Sequence, residues 1–600
     1  MICKPSSATF AVLLALLALP ALAGSRDDPL ADAAAAIERG DGVSAEVAAQ
    51  RALTLGRPHS AVDAYLGEAA LLQGDRDEAR QWLAPAAFDA ASAQRGFHAL
   101  GRLELAAGHF GPAAKAFDRA LQVGKPKARL WVDIGRLRYQ AGEQHLAANA
   151  VSNALAVDPD EPKALQFQAE LVRDSRGLAA SLPWFERAVQ VAPTNLEVLG
   201  EYAATLGDLG RYRDMLTVAR AMVQIDRTDP KAYFLQAVLA ARAGQDDLAR
   251  RLLWSTKGAY DDTPAGMVLA GVLEYRAGST ELAVDNFAKL VSLQSDNDIA
   301  ARMLGRALLA DGDANEVVAR FANAAAQPDA SPYMLTLVGR AYEQIDRRDL
   351  AAPLLDRAAR AADPPLGPLA PSADGELAIY RSGDSDPTGD DVVVPMLRQL
   401  LSRGRTAEAA AYIPKLRHRY PNSSDFQVLS GDAALLSGDA AQALVLYRSA
   451  AEVRWTPTVA ERIAAAETRL GHEDLAEAEL NAYLSQHPQE CGLAALVGRA
   501  AAARGDWTRA ALLLGHAAQL PGGANDPRLI ADLAEAQMHL GDGERALGNA
   551  RFAYALQRAS PRTTRVLAAV LSAADKRAGG AEVLLAKARA LGDEPVLALR

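Results

Sequence analysis

The chain has 600 residues, with 64 Lys and Arg against 74 Asp and Glu, which gives a formal charge of −10. This acidic balance argues against a nucleic-acid-binding protein, in which a basic domain is expected. Half of the residues are apolar but only 6% are aromatic, so Ala, Leu and Val must fill most of the interior. A chain of this length needs several domains or an array of repeats. Its two cysteines, Cys3 and Cys491, are too few for a Cys-rich zinc site or a disulfide framework.

Residues 1–23 have the layout of a secretory signal peptide. Lys4 precedes an apolar run over 8–19, and Ala21-Leu22-Ala23 is a small-x-small cleavage site. The run is shorter than the ~20 residues that cross a bilayer, which favours cleavage after Ala23 over an uncleaved anchor. We therefore expect an exported, periplasmic, soluble protein with no later membrane span, in which Cys491 is a tolerated lone thiol.

Residues 24–362 repeat with a period of 34 residues. A small residue stands at one position of ten successive units: Ala33, Gly67, Gly101, Gly135, Ala169, Ala203, Ala237, Gly271, Gly305 and Gly339. Seven residues later a glycine such as Gly74 recurs in eight of these units, and twelve residues later the residue is usually alanine, such as Ala79. The apolar spacing predicts two amphipathic helices per unit, joined at the glycine, which enters the left-handed conformation after a helix without a Cβ penalty.

The small residue of each unit predicts a close approach between the two helices. We expect the first helix at Gly67 to meet Ala79 of the second helix, with Leu83 filling the space beside the crossing. A larger residue at the small position would then overpack the hairpin by about 1–3 kcal/mol.

Residues 363–395, rich in Pro, Gly and Asp, interrupt the period and are predicted to be a solvated linker. The alternative is a calcium site at Asp384, Asp386 and Asp390, although Pro395 stands where an EF-hand loop has its bidentate Glu. A looser second array follows over 396–600. Its turn glycines are Gly404, Gly438, Gly471, Gly505 and Gly541, so glycine fills thirteen of the sixteen turn positions of the chain.

This 34-residue pattern resembles the tetratricopeptide repeat family. One unit carries its signature at Trp131, Ile134, Gly135, Gly142, Ala147, Val151, Ala154 and Pro159. The resemblance covers nearly the whole chain after residue 23. It implies an all-α fold, a right-handed superhelical solenoid of about 16 helix-turn-helix repeats in two arrays, each repeat stacked only on its neighbours. It also implies that the first helices line a concave groove that binds extended peptides or partner helices.

The sequence contains no motif for catalysis, phosphate binding or metal binding. The nine histidines are scattered, with no pair at i,i+3 or i,i+4 that could grip a metal ion from one helix face. We therefore expect no cofactor and no enzymatic activity.

Two patches on the predicted first helices are candidates for partner binding. The basic patch consists of Arg95, His98, Arg102, Arg129, Arg136, Lys163 and Arg173, partly offset by Glu170 and Asp174. It would suit carboxylates or an acidic segment, unless these side chains pair with neighbouring carboxylates or are simply solvated. The apolar patch consists of Phe234, Val238, Val268, Val272 and Tyr275. It is either a docking strip or, as we favour, the filling between adjacent first helices.

These observations predict an exported scaffold that mediates protein–protein interactions in the bacterial cell envelope through its groove. The alternative is a periplasmic component of an exopolysaccharide synthesis or secretion machine, a role that the family resemblance also implies. The expected partners are proteins or peptides, including envelope-assembly or polysaccharide-export proteins, and not nucleic acid.

Overall fold

The computed structural model describes residues 28–295, 297–327, 330–360, 390–419, 423–574 and 579–592. The predicted signal peptide lies outside these residues, as do most of the predicted linker and two of its three candidate calcium ligands, Asp384 and Asp386. The chain divides into two compact units, one up to Leu137 and one from Arg138 onward.

The predicted all-α repeat fold is confirmed. The described residues contain 32 helices and no strand, two helices to each period. The first unit and its boundary contain α1 (Pro29–Glu38), α2 (Gly42–Thr54), α3 (His59–Gln73), α4 (Arg76–Leu83), α5 (Ala93–Ala106), α6 (Phe110–Val123) and α7 (Ala128–Gln140).

The second unit contains the remaining helices of both predicted arrays. Those before the linker are α8 (Gln144–Val157), α9 (Pro162–Arg176), α10 (Leu178–Val191), α11 (Leu196–Asp208), α12 (Tyr212–Ile225), α13 (Pro230–Arg242), α14 (Asp246–Trp254), α15 (Pro264–Ala277), α16 (Thr280–Leu293), α17 (Asp298–Asp311), α18 (Ala314–Ala326), α19 (Pro332–Gln344) and α20 (Arg348–Arg360). The next helix, α21 (Asp390–Ser402), begins within the predicted linker, so that residues 390–395 are helical. The helices after it are α22 (Thr406–Arg419), α23 (Ser424–Leu436), α24 (Ala440–Ala451), α25 (Pro457–Arg469), α26 (Glu473–Gln486), α27 (Cys491–Ala503), α28 (Trp507–Gln519), α29 (Pro527–His539), α30 (Gly543–Leu556), α31 (Pro561–Ala574) and α32 (Gly579–Leu591).

The thirteen turn glycines that the sequence singled out all have a left-handed backbone, with φ between +69° and +90°. At two other turn positions the residue is not glycine. Asp346 adopts the same conformation, with φ of +58°, and at Arg176 the helix continues one residue further, so that Gly177 takes the positive φ instead. The turn therefore requires a left-handed residue, and glycine supplies it at the lowest strain.

The large residue that the sequence places beside the helix crossing comes nearest to the small position. A Cβ atom built on Gly67 would lie 2.4 Å from Cγ of Leu83, and one built on Gly101 would lie 2.3 Å from Cε1 of Phe117. At these two positions the nearest side chain is thus the large residue sixteen positions later, whereas at Gly305 it is Leu337 of the next repeat. The alanine, such as Ala79, is fully buried, and at Gly339 the carbonyl oxygen of the equivalent Ala351 lies 3.6 Å from the built Cβ.

Stacking on neighbours alone does not account for the second unit, contrary to what the resemblance implied. The turn between α9 and α10 contacts the segments before α25 and after α26, eight repeats further along the chain. The backbone N–H of Trp455 donates to the carbonyl oxygen of Asp174 over 2.7 Å, and the N–H of Ala180 donates to the side-chain oxygen of Gln486 over 2.9 Å. These bonds satisfy a carbonyl near the end of α9 and an amide near the start of α10 that the helices themselves leave unpaired.

Candidate partner-binding surface

In the first unit, charged side chains from three successive first helices form one network. Arg95 on α5 donates to Glu68 on α3 over 2.6 Å. His98, also on α5, lies 2.7 Å from Asp133 on α7. Arg102 stands between the two carboxylates, 3.5 Å from Glu68 and 3.9 Å from Asp133. We call this network, together with Tyr65, the first-helix face of the first unit.

Arg95 and Arg102 of the first-helix face are held in place, but their ion pairs do not use all of their N–H donors. The guanidinium of Arg95 lies 4.9 Å from the ring centroid of Tyr65, which fixes its plane, and its ion pair with Glu68 engages one terminal nitrogen. Arg102 remains 32% exposed. Because a guanidinium has five N–H donors, both side chains retain donors for an additional acceptor.

The other predicted basic residues of the first unit are also engaged. Arg129 pairs with Glu38 at the end of α1, at 3.2 Å, and both side chains are about half exposed. Arg136 is half-buried and has interactions of its own. The structure therefore brings Arg95, His98 and Arg102 together with carboxylates.

In the second unit, Arg173 donates to Glu201 over 3.3 Å and to the hydroxyl of Thr205 over 3.2 Å. Lys231 donates to the same carboxylate over 2.8 Å. Burial alone would raise the pKa of Glu201, but the hydrogen bond and charge of Lys231, with those of Arg173, outweigh it and hold that pKa below its ordinary value. Lys163 is exposed at the start of α9.

The sequence alone did not reveal the carboxylates that complete these networks. It set Glu170 and Asp174 against the arginines, whereas the observed partners of the patch include Glu68, Asp133 and Glu201. These partners lie 27 to 35 residues from their cations. The signal was available, because residues about one period apart lie side by side on adjacent first helices.

One register recurs in these pairs. The residue that follows the small position of one repeat pairs with the residue that lies two positions before the small position of the next repeat. This holds for Arg102 with Asp133, Asp432 with Arg462, and Arg499 with Asp532. In the second pair the charges are exchanged, with Asp at the first position and Arg at the second. The register therefore requires opposite charges at the two positions, but either position can carry the cation.

The apolar patch packs into the interior to different extents. Phe234 is buried and stacks on Tyr260, with ring centroids 4.0 Å apart, so its ring is covered by the chain itself. The other four residues, Val238, Val268, Val272 and Tyr275, are half-buried and pack against core side chains. Tyr275 also accepts a hydrogen bond from Arg306 over 3.1 Å.

The described residues show no cluster of His, Cys, Asp and Glu that could hold a metal ion. No helix among those described is long and apolar enough to cross a membrane. Cys491 is a half-buried free thiol, and burial, together with the charge of Asp526, raises its pKa, which disfavours the reactive thiolate.

The 34-residue helical hairpin, its left-handed turn and the interlocked small and large positions define an all-α helical-repeat solenoid, the fold that the resemblance to tetratricopeptide repeats implied. No family model matches the sequence, and no curated protein matches it. Among solved structures, the chain is similar to the crystal structure of the APC/C hetero-tetramer Cut9–Hcn1, with 13% identity over 95% of each chain and a TM-score of 0.38. It is also similar to the human IFIT1 dimer with m7Gppp-AAAA, with 14% identity over 70% of this chain and 95% of that chain, and a TM-score of 0.34. Pseudomonas aeruginosa PilF matches at 15% identity over 35% of this chain and 95% of its own, with a TM-score of 0.30.

Proposed function

We propose that the chain is a scaffold that binds a protein partner on the first-helix face of its first unit. The observation that supports this proposal is the state of Arg95 and Arg102, which are positioned by Glu68 and Asp133 but keep unused donors. Ordering a long side chain at an interface costs about 0.5–1.5 kcal/mol. Because the network already orders these arginines, a partner that binds them avoids much of that cost.

The partner that suits this face carries carboxylates. Arginine donors are arranged for bidentate pairing with a carboxylate, and Glu68 and Asp133 engage only some of the N–H donors of Arg95 and Arg102. A partner carboxylate would complete a network of alternating charges that the chain has partly built. The scaffold is proposed to act by binding and not by catalysis, in line with the absence of a catalytic motif from the sequence.

The test is charge reversal at one arginine of the face with a matched control. Arg102→Glu places a third carboxylate between Glu68 and Asp133. Arg51→Glu makes the same charge change on α2, a second helix, where Arg51 is exposed. Proteins captured by crosslinking from envelope extracts are identified, and the most enriched one is purified for a measurement of Kd.

We expect Arg102→Glu to weaken that binding at least tenfold, which corresponds to about 1.4 kcal/mol, and Arg51→Glu to leave it unchanged. Equal binding by the two variants would refute the first-helix face as the docking site. Thermal unfolding of both variants shows whether the Arg102→Glu protein remains folded during the assay.

We propose that the scaffold acts in the cell envelope after export. The support is the order of basic tip, apolar run and small-x-small site in residues 1–23. Expression of the full chain in a Gram-negative host should give a periplasmic protein whose N-terminal residue, determined by mass spectrometry, is Gly24. A cytoplasmic product that retains residues 1–23 would contradict the proposed location.

A further inference from the structure

A cavity of about 870 Å³ opens in the second unit where the repeat is irregular. The second helix of this repeat, α14, ends early at Trp254, and a turn-rich segment of nine residues leads to α15. The cavity lies between this segment, α13 and α15, and none of its lining residues belongs to the first-helix face. Its polar and aromatic lining includes Arg227, Tyr233, Arg250, Trp254, Lys257, Asp261 and Glu274. Its volume falls within the ~300–1,000 Å³ typical of small-molecule sites.

Trp254 presents its ring to solvent at the cavity. Its side chain is 84% exposed, the highest value among the exposed large apolar side chains of the described residues. Within the part of the chain that the structure describes, no side chain stacks on this indole and no group accepts a hydrogen bond from its N–H. An indole is the largest apolar surface that a side chain offers, and one face of the ring is open to a flat ligand.

Charges of both signs line the cavity without pairing with one another. Arg227 and Lys257 are cationic and Asp261 and Glu274 are anionic, yet within the described part of the chain none of the four side chains forms an ion pair or a hydrogen bond. Cationic side chains only donate and carboxylates only accept. A ligand that satisfies all four must therefore carry both an anionic acceptor and hydroxyl or amine donors.

The walls of the cavity are fixed by the surrounding structure. Arg250 donates to the carbonyl oxygen of Leu273 over 3.1 Å and to Asp247 over 2.9 Å. The buried hydroxyl of Thr256 donates to the carbonyl oxygen of Leu253 over 2.7 Å. Next to it, Lys257 adopts φ of +53°, a left-handed conformation that is strained for a residue with a side chain. Such strain persists where the surrounding structure holds it, often at ligand sites.

We propose that this cavity binds an acidic saccharide, that is, a sugar that carries a carboxylate. The apolar C–H face of the sugar ring lies on Trp254, its carboxylate binds Arg227 and Lys257, and its hydroxyls donate to Asp261 and Glu274. Arg250 is already paired with Asp247, so Arg227 and Lys257 are the cations of the lining that remain to bind the carboxylate. The inference goes beyond the proposed scaffold function and uses none of the residues of the first-helix face.

The charges and donors of the cavity favour a sugar acid over two other anionic ligands. An acidic peptide offers few donors to Asp261 and Glu274, because its acidic side chains only accept hydrogen bonds. A nucleotide phosphate carries up to two negative charges in one group, and in its doubly charged form that group offers no donor to Asp261 and Glu274. In a uronate, each sugar ring carries one carboxylate and several hydroxyls. The carboxylate suits the cationic side chains of the lining, and the hydroxyls suit its carboxylates.

The test measures the binding of defined probes to the full chain by isothermal titration and by tryptophan fluorescence. The uronate probes are trigalacturonate and trimannuronate. The comparison probes are galactotriose, which is neutral, triglutamate, and adenosine monophosphate. We expect at least one uronate to bind and all three comparison probes to bind at least tenfold more weakly.

Three variants place the binding at the cavity. Trp254→Leu and Arg227→Gln should each weaken uronate binding at least tenfold, whereas Arg220→Gln, which changes an exposed arginine on α12 outside the cavity, should not. Lys257→Gly removes the ammonium group but relieves the strained φ. It should therefore raise the unfolding temperature while weakening binding, so that loss of binding cannot be ascribed to unfolding.

Each contrary result overturns the inference. Equal binding of galactotriose would show that no anion is recognised, and stronger binding of triglutamate or adenosine monophosphate would assign the cavity to a peptide or a nucleotide. The absence of uronate binding, or uronate binding that is unchanged in Trp254→Leu, would remove the proposed site. None of these results bears on the first-helix face, which Arg102→Glu tests separately.

Discussion

The absence of a side chain at Gly101 determines how closely α5 packs on α6. A Cβ atom there would lie 2.3 Å from Cε1 of Phe117, well inside van der Waals contact. Phe117 is itself fully buried, so its ring has little room to move. The same relation, in which a large residue stands sixteen positions after a glycine, recurs at Gly271 with Phe287 and at Gly431 with Tyr447.

We therefore predict that Gly101→Ala lowers the free energy of unfolding by about 1–3 kcal/mol through overpacking. Gly111→Ala is the matched control, because Gly111 also lies in a helix but a Cβ there meets no atom within 4 Å. That control should leave stability unchanged or raise it by up to about 1 kcal/mol, since alanine favours the helix over glycine. Urea unfolding of both variants measures the difference, and similar effects at the two sites would contradict the packing account.

The turn and the small positions were predictable from the sequence, but the contact at the small position was not. A recurring glycine reveals a backbone requirement directly, because few other residues satisfy it. The neighbour of the small residue depends instead on how the two helices cross. An offset of four residues, as between Ala79 and Leu83, is only about one turn of helix, or ~6 Å, and the repeat period does not determine it.

At the scale of the helix, successive first helices are joined by pairs of opposite charge. The pair Asp432–Arg462 is nearly inaccessible, with side chains 3% and 5% exposed, and Asp432 also accepts the hydroxyl hydrogen bond of Tyr447 over 2.7 Å. Arg102 holds a related position but is 32% exposed. Breaking a buried pair leaves one charge without its partner in a low-dielectric interior, whereas an exposed partner regains water.

We predict that Arg462→Met lowers the free energy of unfolding by about 3–5 kcal/mol. Arg102→Met should lower it by at most about 1 kcal/mol. The double variant Asp432→Asn/Arg462→Met should recover most of the loss, because Asn removes the stranded charge and keeps an acceptor for Tyr447. Chemical unfolding of the three variants tests this, and a double variant as unstable as Arg462→Met would show that the loss is one of packing and not of charge.

The same spacing explains why only half of the charge network was predicted. Cations close together in the sequence, such as Arg95 and His98, were grouped because they share one helix face. Their carboxylates lie on the neighbouring first helices, about one period away. When the repeats are aligned by their small positions, Arg102 stands opposite Asp133 on the neighbouring first helix. The pair is therefore visible in the alignment of neighbouring repeats but not in the sequence of one helix.

Across the whole second unit, packing includes a contact between repeats eight positions apart. The turn between α9 and α10 has Gly177 where a side chain would collide, since a Cβ there would lie 2.5 Å from Cβ of Gln486. No side chain within α10 caps its own N-terminus, and Gln486 supplies the acceptor. This contact could not be predicted from the repeat pattern. Each repeat is rotated slightly against the next one, and these rotations accumulate over eight repeats before the two segments meet.

We predict that Gln486→Ala increases the hydrogen-exchange rate of the Ala180 amide at least tenfold, because that N–H loses its only side-chain acceptor. Gln519→Ala is the matched control, since Gln519 is the last residue of α28 as Gln486 is the last residue of α26. Exchange is followed by mass spectrometry of peptides that cover the start of α10. Equal protection in the two variants would show that the distant side chain does not stabilise this helix end.

His487, at the same contact, links the packing of distant repeats to pH. Its ring stacks on Tyr483, with centroids 4.1 Å apart, and lies edge-on to Trp455. Burial lowers the pKa of His487, a shift that its hydrogen bond to the carbonyl oxygen of Tyr483 only partly opposes. Burial also raises the pKa of nearby Glu490, so protonation of this carboxylate favours the folded protein as the pH falls. The contribution of His487 to stability must therefore be measured as a difference between variants.

The unfolded chain binds a proton at His487 near its ordinary pKa of about 6.5, whereas the folded protein resists that proton. Stability should therefore decrease as the pH falls through and below about 6.5. His487→Gln removes this titration and leaves Glu490 in place. We predict that the unfolding temperature of the unaltered protein, relative to that of His487→Gln, is constant above pH 7.5 and falls steadily from pH 7 to pH 5. A difference that does not change with pH would mean that the ring accepts a proton as readily in the folded protein as in the unfolded chain. A difference that grows in favour of the histidine in acid would mean that the folded protein binds this proton more tightly, and either result would contradict the prediction.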